Sequence, residues 1–175
     1  TANIVIETTK PVIGGISTTY IDGTYGVDAE IPVKVKFYNG TVLGGLEAVT
    51  MSGDLTITLN SGGTVVIPEF SGSSNNAEAI YTVASGDGEV TLTSSGIASS
   101  GTITDGFGNE LASPITLPAT NFSTNDEIVI DVTKPKLDYV SAQKNGAAIP
   151  IASPVTETLV NNEDVITFTL NFVED

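Results

Sequence analysis

The 175-residue chain has no cysteine, histidine, tryptophan or arginine, and its six basic residues are all lysines: Lys10, Lys34, Lys36, Lys134, Lys136 and Lys144. Without cysteine there is no disulfide and no thiol nucleophile. Without histidine as well, the usual zinc sites, the Ser-His-acid triad and the commonest haem ligand sets are excluded. Catalysis would have to rest on carboxylates or lysines. A glycosidase needs two carboxylates about 5–10 Å apart, and acids are abundant enough here for such a pair to arise by chance. No arginine, histidine or tryptophan is present to line a sugar or phosphate site, so the chain is expected not to be an enzyme. No apolar run approaches the roughly eighteen residues of a membrane span, and no membrane insertion is expected.

What is abundant is acid. Asp and Glu number 21 and the formal net charge is −15. Binding nucleic acid requires lysine or arginine clusters that neutralise phosphates, so nucleic acid is not an expected partner, and an anionic membrane surface is disfavoured for the same reason. Such a surface attracts cations, and calcium is the hard, oxygen-seeking ion that fits. Lack of cysteine does not exclude secretion, because bound calcium can take the stapling role of disulfides. The composition leans towards an extracellular protein.

One phrase occurs twice. Asn3-Ile4-Val5-Ile6-Glu7-Thr8-Thr9-Lys10-Pro11-Val12-Ile13 is answered by Glu127-Ile128-Val129-Ile130-Asp131-Val132-Thr133-Lys134-Pro135-Lys136-Leu137, 124 positions later. An apolar run ending in an acid and Thr-Lys-Pro suits the last strand of one β domain running into the first strand of the next, since the residue before proline is held extended. Residues 3–7 then read as a short buried strand, and Val12–Ile16 as an opening strand with a bulge or sheet switch at Gly14-Gly15. Residues 20–28 read as a loop. Ile31, Val33, Val35 and Phe37 alternate strictly with Lys34 and Lys36, which predicts a strand with one buried face. Ile166, Phe168, Leu170 and Phe172 rebuild it 135 positions from Ile31 and are expected to point inward, with about eleven extra residues placed near 145–150.

Further strands are expected at 46–51, 55–59, 64–67, 79–83, 89–93, 101–104, 115–117 and 127–131, separated by glycine-, serine- and Asp/Asn-rich turns. No window carries a helical period. Short strands at this spacing predict an all-β antiparallel sandwich.

The order Tyr20-x-x-Gly23, Asp28-x-x-Ile31-x-Val33-x-Val35-x-Phe37, Tyr81-Thr82-Val83-x-x-Gly86-Asp87, Leu92–Ile97, Ile103-x-Asp105-x-x-Gly108-Asn109-x-Leu111 and Ile128-x-Ile130-Asp131-x-Thr133-x-Pro135 resembles the bacterial Ig-like and cadherin-like tandem repeats of large prokaryotic surface proteins. The resemblance implies an Ig-like Greek-key β-sandwich, with one complete repeat and an incomplete second one. It divides the chain into a closing strand of a preceding repeat or a donated strand (1–10), a complete sandwich (11–132) and the opening strands of a second repeat (133–175). It also implies a structural role at the cell surface or in the cell wall, in an S-layer or filament, with an adhesin stalk or a glycan- or protein-binding module as the alternative. The sequence departs from the repeats after Phe37, where Tyr38-Asn39-Gly40 stands in place of an acid and proline.

Calcium takes about six to eight oxygens. Asp105 and Asn109 sit in a glycine-rich loop that offers some of these, and Asp131 or Asp22 would have to complete the set. Glu7 and Asp131 hold equivalent places before Thr-x-Pro and could bind an ion at a domain junction with Asp22, Asp28 and Glu30. Plain turn chemistry or a solvated strand end accounts for the same residues. The expected partners are adjoining repeats or copies of the chain, joined by strand exchange if residues 3–7 are donated, together with a surface glycan. Stacking on a glycan would fall to exposed tyrosines, chiefly Tyr25 and Tyr38. Asn39 and Asn121 stand in N-glycosylation sequons.

Overall fold

The computed structural model describes residues 4, 6–122, 127–149 and 160–174, with only the backbone of Val42. The chain forms two compact units, 1–132 and 133–175. Both are built from β-strands, antiparallel with one exception.

In the first unit the chain runs through β1 (Pro11–Ser17), β2 (Gly23–Tyr25) and β3 (Glu30–Asn39). The alternation of β3 sets one face of its sheet: Ile31, Val33, Val35 and Phe37 are all fully buried, while Lys36 is exposed. Each such side chain removed from water contributes about 1.5–3 kcal/mol. β1 lies on one side of β3 and β8 (Asn76–Thr82) on the other, both antiparallel. β1 reaches only as far as Lys34, so beside Pro32 the strand is paired with β8 alone, where a missing N–H is tolerated. The β1–β3 register slips between Ile13 and Gly15. Beyond this bulge the Ile16 N–H donates to the Thr120 carbonyl at 3.2 Å.

The facing strands form long lines. β4 (Val49–Met51) and β5 (Leu55–Leu59) follow one another, paired on one side with β6 (Thr64–Ile67) and β7 (Phe70–Ser74). On the other side lie β10 (Ser94–Ser99) and β11 (Ile103–Asp105). The lines jog together at Ser52–Asp54 and Ser100–Thr102. There the backbones of Gly53 and Gly101 touch: a Cβ on Gly53 would stand 2.6 Å from the Gly101 nitrogen. β9 (Val90–Thr91) leads into β10, and β12 (Ile128–Ile130) pairs antiparallel with β9 and parallel with β2. Inward residues from all these strands, among them Ile16, Phe37, Leu55, Ile57, Tyr81, Leu92, Ile128 and Ile130, join in one buried apolar cluster, which gives the unit its sandwich-like character.

The second unit contains β13 (Lys136–Lys144), β14 (Ala147–Ala148) and β15 (Ile166–Val173), with β13 in the middle. Asn145 and Gly146, both at positive φ (49° and 83°), turn β13 into β14, the chemistry of a two-residue hairpin. The carboxylate of Asp164 accepts from Asn145 Nδ2 (2.7 Å) and the Asn161 N–H (2.8 Å) and pairs with Lys144 Nζ (2.8 Å). The Lys144 ammonium, with these hydrogen bonds, holds its pKa below the ordinary value.

The two units open with the same pairing. In the first, Ile13 faces Phe37, the register slips, and then Gly15 faces Lys36, Ile16 faces Val35 and Ser17 faces Lys34. In the second, Leu137 faces Phe172, the register slips, and then Tyr139 faces Asn171, Val140 faces Leu170 and Ser141 faces Thr169. The offsets of 124 and 135 therefore map partner onto partner, with the bulge at the same step.

The described residues 4 and 6–10 form no strand within the chain, and Ile4 and Ile6 are 88% and 82% exposed; residues 3 and 5 lie outside the described set. Several other expectations need correction. Residues 20–28 are not all loop, since β2 forms there against β12. Ile115–Leu117 form no strand, and β7 and β10, whose sequences are rich in serine and glycine, were not legible as strands. Phe168, Leu170 and Phe172 do not reach a core: they are 69%, 58% and 60% exposed. The placement of extra residues near 145–150 falls on the Asn145-Gly146 turn and β14, and Pro150 lies outside the described residues.

The Gly53–Gly101 contact yields a test. Gly53→Ala forces the two lines apart and should cost about 1–3 kcal/mol, read as a lower urea midpoint with unchanged slope; an unchanged midpoint would show that the jog accommodates a Cβ.

Candidate functional site

The acidic residues singled out from the sequence separate into groups at the two ends of β3, a strand of ten residues and thus about 30 Å long. At the Asn39 end, Lys10 and Gly40 meet through the Gly40 N–H, which donates to the Lys10 carbonyl at 3.1 Å. Gly40 has φ 68°, and a Cβ there would stand 2.6 Å from the Thr9 methyl. This contact gives a local reason for the glycine that follows Tyr38-Asn39.

Glu7, Asp105 and Asn109 come together at this end. The Asn109 side-chain amide donates to the Glu7 carbonyl (3.4 Å) and to Asp105 Oδ2 (2.9 Å). Asp105 Oδ1 accepts the Phe107 N–H (2.9 Å) and the Asn109 N–H (2.8 Å), which closes a turn with Gly108 at φ 87°. Burial pushes the Asp105 pKa up, but the hydrogen bonds from Asn109, Phe107 and Gly108 outweigh it and hold the carboxyl below the ordinary aspartate range. Asp105 is thus a structural carboxylate of the turn. The Glu7 carboxylate accepts the Thr9 N–H. Hydrogen bonds from the Thr9 side chain and N–H lower its pKa, and the nearby charge of Asp105 opposes them.

Asp131 and Asp28 lie towards the Glu30 end. The Asp131 N–H donates to the Tyr25 carbonyl (3.1 Å), and the N–H of Asp28, at φ 68°, donates to the Val83 carbonyl (2.9 Å). Asp22 joins neither group: its Oδ1 accepts the Glu127 N–H (2.9 Å), at the start of the β2–β12 pair. These hydrogen bonds of Asp131 and Asp22 run to Tyr25 and Glu127, not to the Asp105 loop. Among the described residues no group of three or more Asp, Glu, His or Cys side chains is placed to hold a metal ion.

Tyr25 and Tyr38 do not form a common platform. Tyr38 faces Val12 near one end of β3. Tyr25 packs its ring on Tyr20 at 4.9 Å and donates its hydroxyl to the Ile21 carbonyl (2.6 Å) near the other. The Asn121 amide is occupied structurally: it donates to the Ser94 carbonyl (3.1 Å) and accepts the Ser94 N–H (3.0 Å), tying the irregular segment before β12 to β10. A cavity of about 240 Å³ lies between β10–β11 and residues 110–115. Its wall includes Ile97, Leu111, Pro114 and a single carboxylate, Glu110, and no lysine.

A buried polar lock escaped the sequence reading. Tyr81 is buried on β8, and its hydroxyl donates to Asp87 Oδ2 (2.5 Å) and bonds the Ser61 hydroxyl (2.9 Å). The same Asp87 oxygen accepts the Ala84 N–H (2.8 Å), and the Gly88 N–H donates to the Ser61 carbonyl (2.7 Å). A Cβ on Gly63 would stand 2.6 Å from the ring. Burial first, and then the hydrogen bond to Asp87, push the Tyr81 pKa up to about 12. The sequence signal was the stretch Tyr81-Thr82-Val83-x-x-Gly86-Asp87, in which Asp87-Gly88 by itself reads as a turn.

No known protein family, no curated protein and no solved structure matches the chain.

The lock gives a prediction with a defined sign. The folded chain holds the Tyr81 proton more tightly than the unfolded chain does, so its contribution is complete below pH 10 and is lost as pH rises from 10 through about 12. Tyr81→Phe should lower stability at neutral pH by about 1–3 kcal/mol and flatten the alkaline decline in denaturant midpoints. Parallel alkaline declines in both proteins would mean that Tyr81 does not carry the linkage.

Proposed function

We propose that the chain is a non-enzymatic structural piece of a tandem array of Ig-like Greek-key sandwiches, working outside the cell in a surface layer or filament. The observation that carries this reading is the duplicated opening pair, in which each residue facing Ile13 through Ser17 has its counterpart around the same bulge. Enzymes and binding modules place conserved chemistry in a site; here the repeated feature is a way of starting a sandwich.

The strand connections of the first unit support the finer fold assignment. β1, β3 and β8 form one sheet and β2, β12 and β9 another, and both send residues into the one apolar cluster. The exposed Ile4 and Ile6 correspond to Ile128 and Ile130, which are fully buried in β12. This correspondence favours residues 3–7 as the closing strand of another sandwich, in an adjoining repeat or a second copy.

Calcium is the proposed ligand, held at the ends of the units. Glu7, Asp105 and Asn109 supply part of its oxygen set at one end, and residues equivalent to Asp28 and Asp131 of an adjoining unit supply more. The mutual repulsion of Glu7 and Asp105 is the local cost that a cation would relieve. A surface glycan is a weaker reading, because the candidate tyrosines do not converge.

Calcium should raise the thermal midpoint, by an amount equivalent to about 2.7 kcal/mol when its free concentration is 100-fold above Kd, and chelator should reverse the rise. Asp105→Ala should reduce the response. A midpoint indifferent to calcium removes the metal from the proposal, and tight binding to an immobilised glycan panel without any calcium response would move the chain to the binding modules.

A further inference from the structure

The outer edge of the β10–β11 line is covered at both ends and open between them. At the β11 end the Leu111 N–H donates to the Ile103 carbonyl (2.8 Å), and Glu110 pairs with Thr104. At the start of β10 the Asn121 side chain holds both backbone groups of Ser94. Between these points the chain detours to the other sheet: residues 111–117 border a second cavity, of about 140 Å³, against Pro11, Val12 and Ile13 of β1, and the Thr120 carbonyl accepts the Ile16 N–H. β10 itself pairs with β5 alone, and among the described residues no strand lies beside Ile97–Ser99 on the other side. Alternate backbone N–H and C=O groups there point away from β5. The cavity of about 240 Å³ lies at this gap.

We infer that the gap is a docking site for a short extended segment of a partner protein, which pairs with the β10 edge, places one apolar side chain in the cavity and sets a lysine or arginine beside Glu110. The volume points to one side chain. An apolar cavity of roughly 150 Å³ admits a benzene ring and sites for drug-sized ligands run to roughly 300–1,000 Å³, so about 240 Å³ suits a leucine- or phenylalanine-sized group. Its floor is apolar and anchored, since Ile97, Ile103, Leu111 and Ile115 all belong to the core or pack against it. The charge selects the partner: Glu110 is the one carboxylate in the wall, no lysine lines it, and the chain carries −15. A cationic segment is attracted, and a second copy of this acidic chain is repelled. The open edge spans three residues, about 10 Å, so main-chain pairing supplies the register and the cavity the selectivity. The site lies within the first unit and is independent of calcium and of adjoining repeats.

Titrating the isotope-labelled 175-residue chain with the blocked pentapeptide KTLTK tests this. Saturable amide shifts centred on Ile97–Ser99 and Glu110–Leu111 are expected, with Kd on the order of 100 μM for so small a contact. Methylating the three central amide nitrogens of the peptide, or replacing its leucine by serine, should each weaken binding at least about ten-fold. Benzylamine, which offers an apolar group and a cation without a backbone, should bind as weakly. Glu110→Gln, an exposed position whose change leaves the fold intact, should weaken the parent peptide and lessen its salt dependence. No saturation by about 5 mM peptide, or shifts centred elsewhere, overturns the inference. Undiminished binding of the methylated peptide, the serine peptide or benzylamine overturns it as well, and so does a Glu110→Gln chain indistinguishable from the parent.

Discussion

The pairing of β1 with β3 is the constraint on which the rest of the first unit depends. It fixes which face of β3 is buried, because a slip of one residue would turn Ile31, Val33, Val35 and Phe37 to solvent and bring the lysines inward. The bulge between Ile13 and Gly15 shifts β1 by a residue without disturbing that face, and it lets Ile16 be buried while its N–H turns to Thr120. With the strand so placed, the core, the position of β8 and the ends of β3 follow. The second unit repeats the pairing and the bulge, and among its described residues Leu137, Val140, Phe168, Leu170 and Phe172 are exposed.

How far the sequence could be read depended on whether the signal was local. Strict alternation at 31–37 and 55–59 was legible because half-buried strands state their own period. β7 and β10 were not, since Phe70–Ser74 and Ser94–Ser99 owe their strand structure to neighbours rather than to apolar side chains. β2 was hidden among turn residues and exists because β12 lies alongside. The repeated phrase was legible as a repeat, but the exposure of Ile4 and Ile6 was not, because burial belongs to the surroundings and not to the segment. For the candidate site, the sequence identified Asp105 and Asn109 as partners and Glu7 as a residue of interest. It could not say that Asp22 serves the Glu127 N–H, or that the Asp131 N–H is taken by the Tyr25 carbonyl.

Acidic residues here work first as acceptors of backbone N–H groups. Asp105 closes its own turn, Asp87 fixes the turn after β8 through Ala84 and Tyr81, Asp22 takes the Glu127 N–H, and Asp164 gathers Lys144, Asn145 and Asn161. Ionised carboxylates make stronger acceptors than neutral groups, and in a chain with few cations they serve the loops in place of salt bridges. Much of the acidity is thus invested in holding irregular backbone. The formal net charge of −15 leaves a surface rich in negative charge.

The parallel alignment of β2 and β12 has a mechanical consequence. The chain reaches β2 by way of β1 from the Lys10-Pro11 side and leaves β12 towards Val132, so tension between these two points pulls β2 from its leading end and β12 from its trailing end. For parallel strands those pulls run in opposite directions along one ladder. Its hydrogen bonds are then loaded together in shear rather than peeled one at a time, and a three-residue ladder at the point of exit acts as a clasp across the unit.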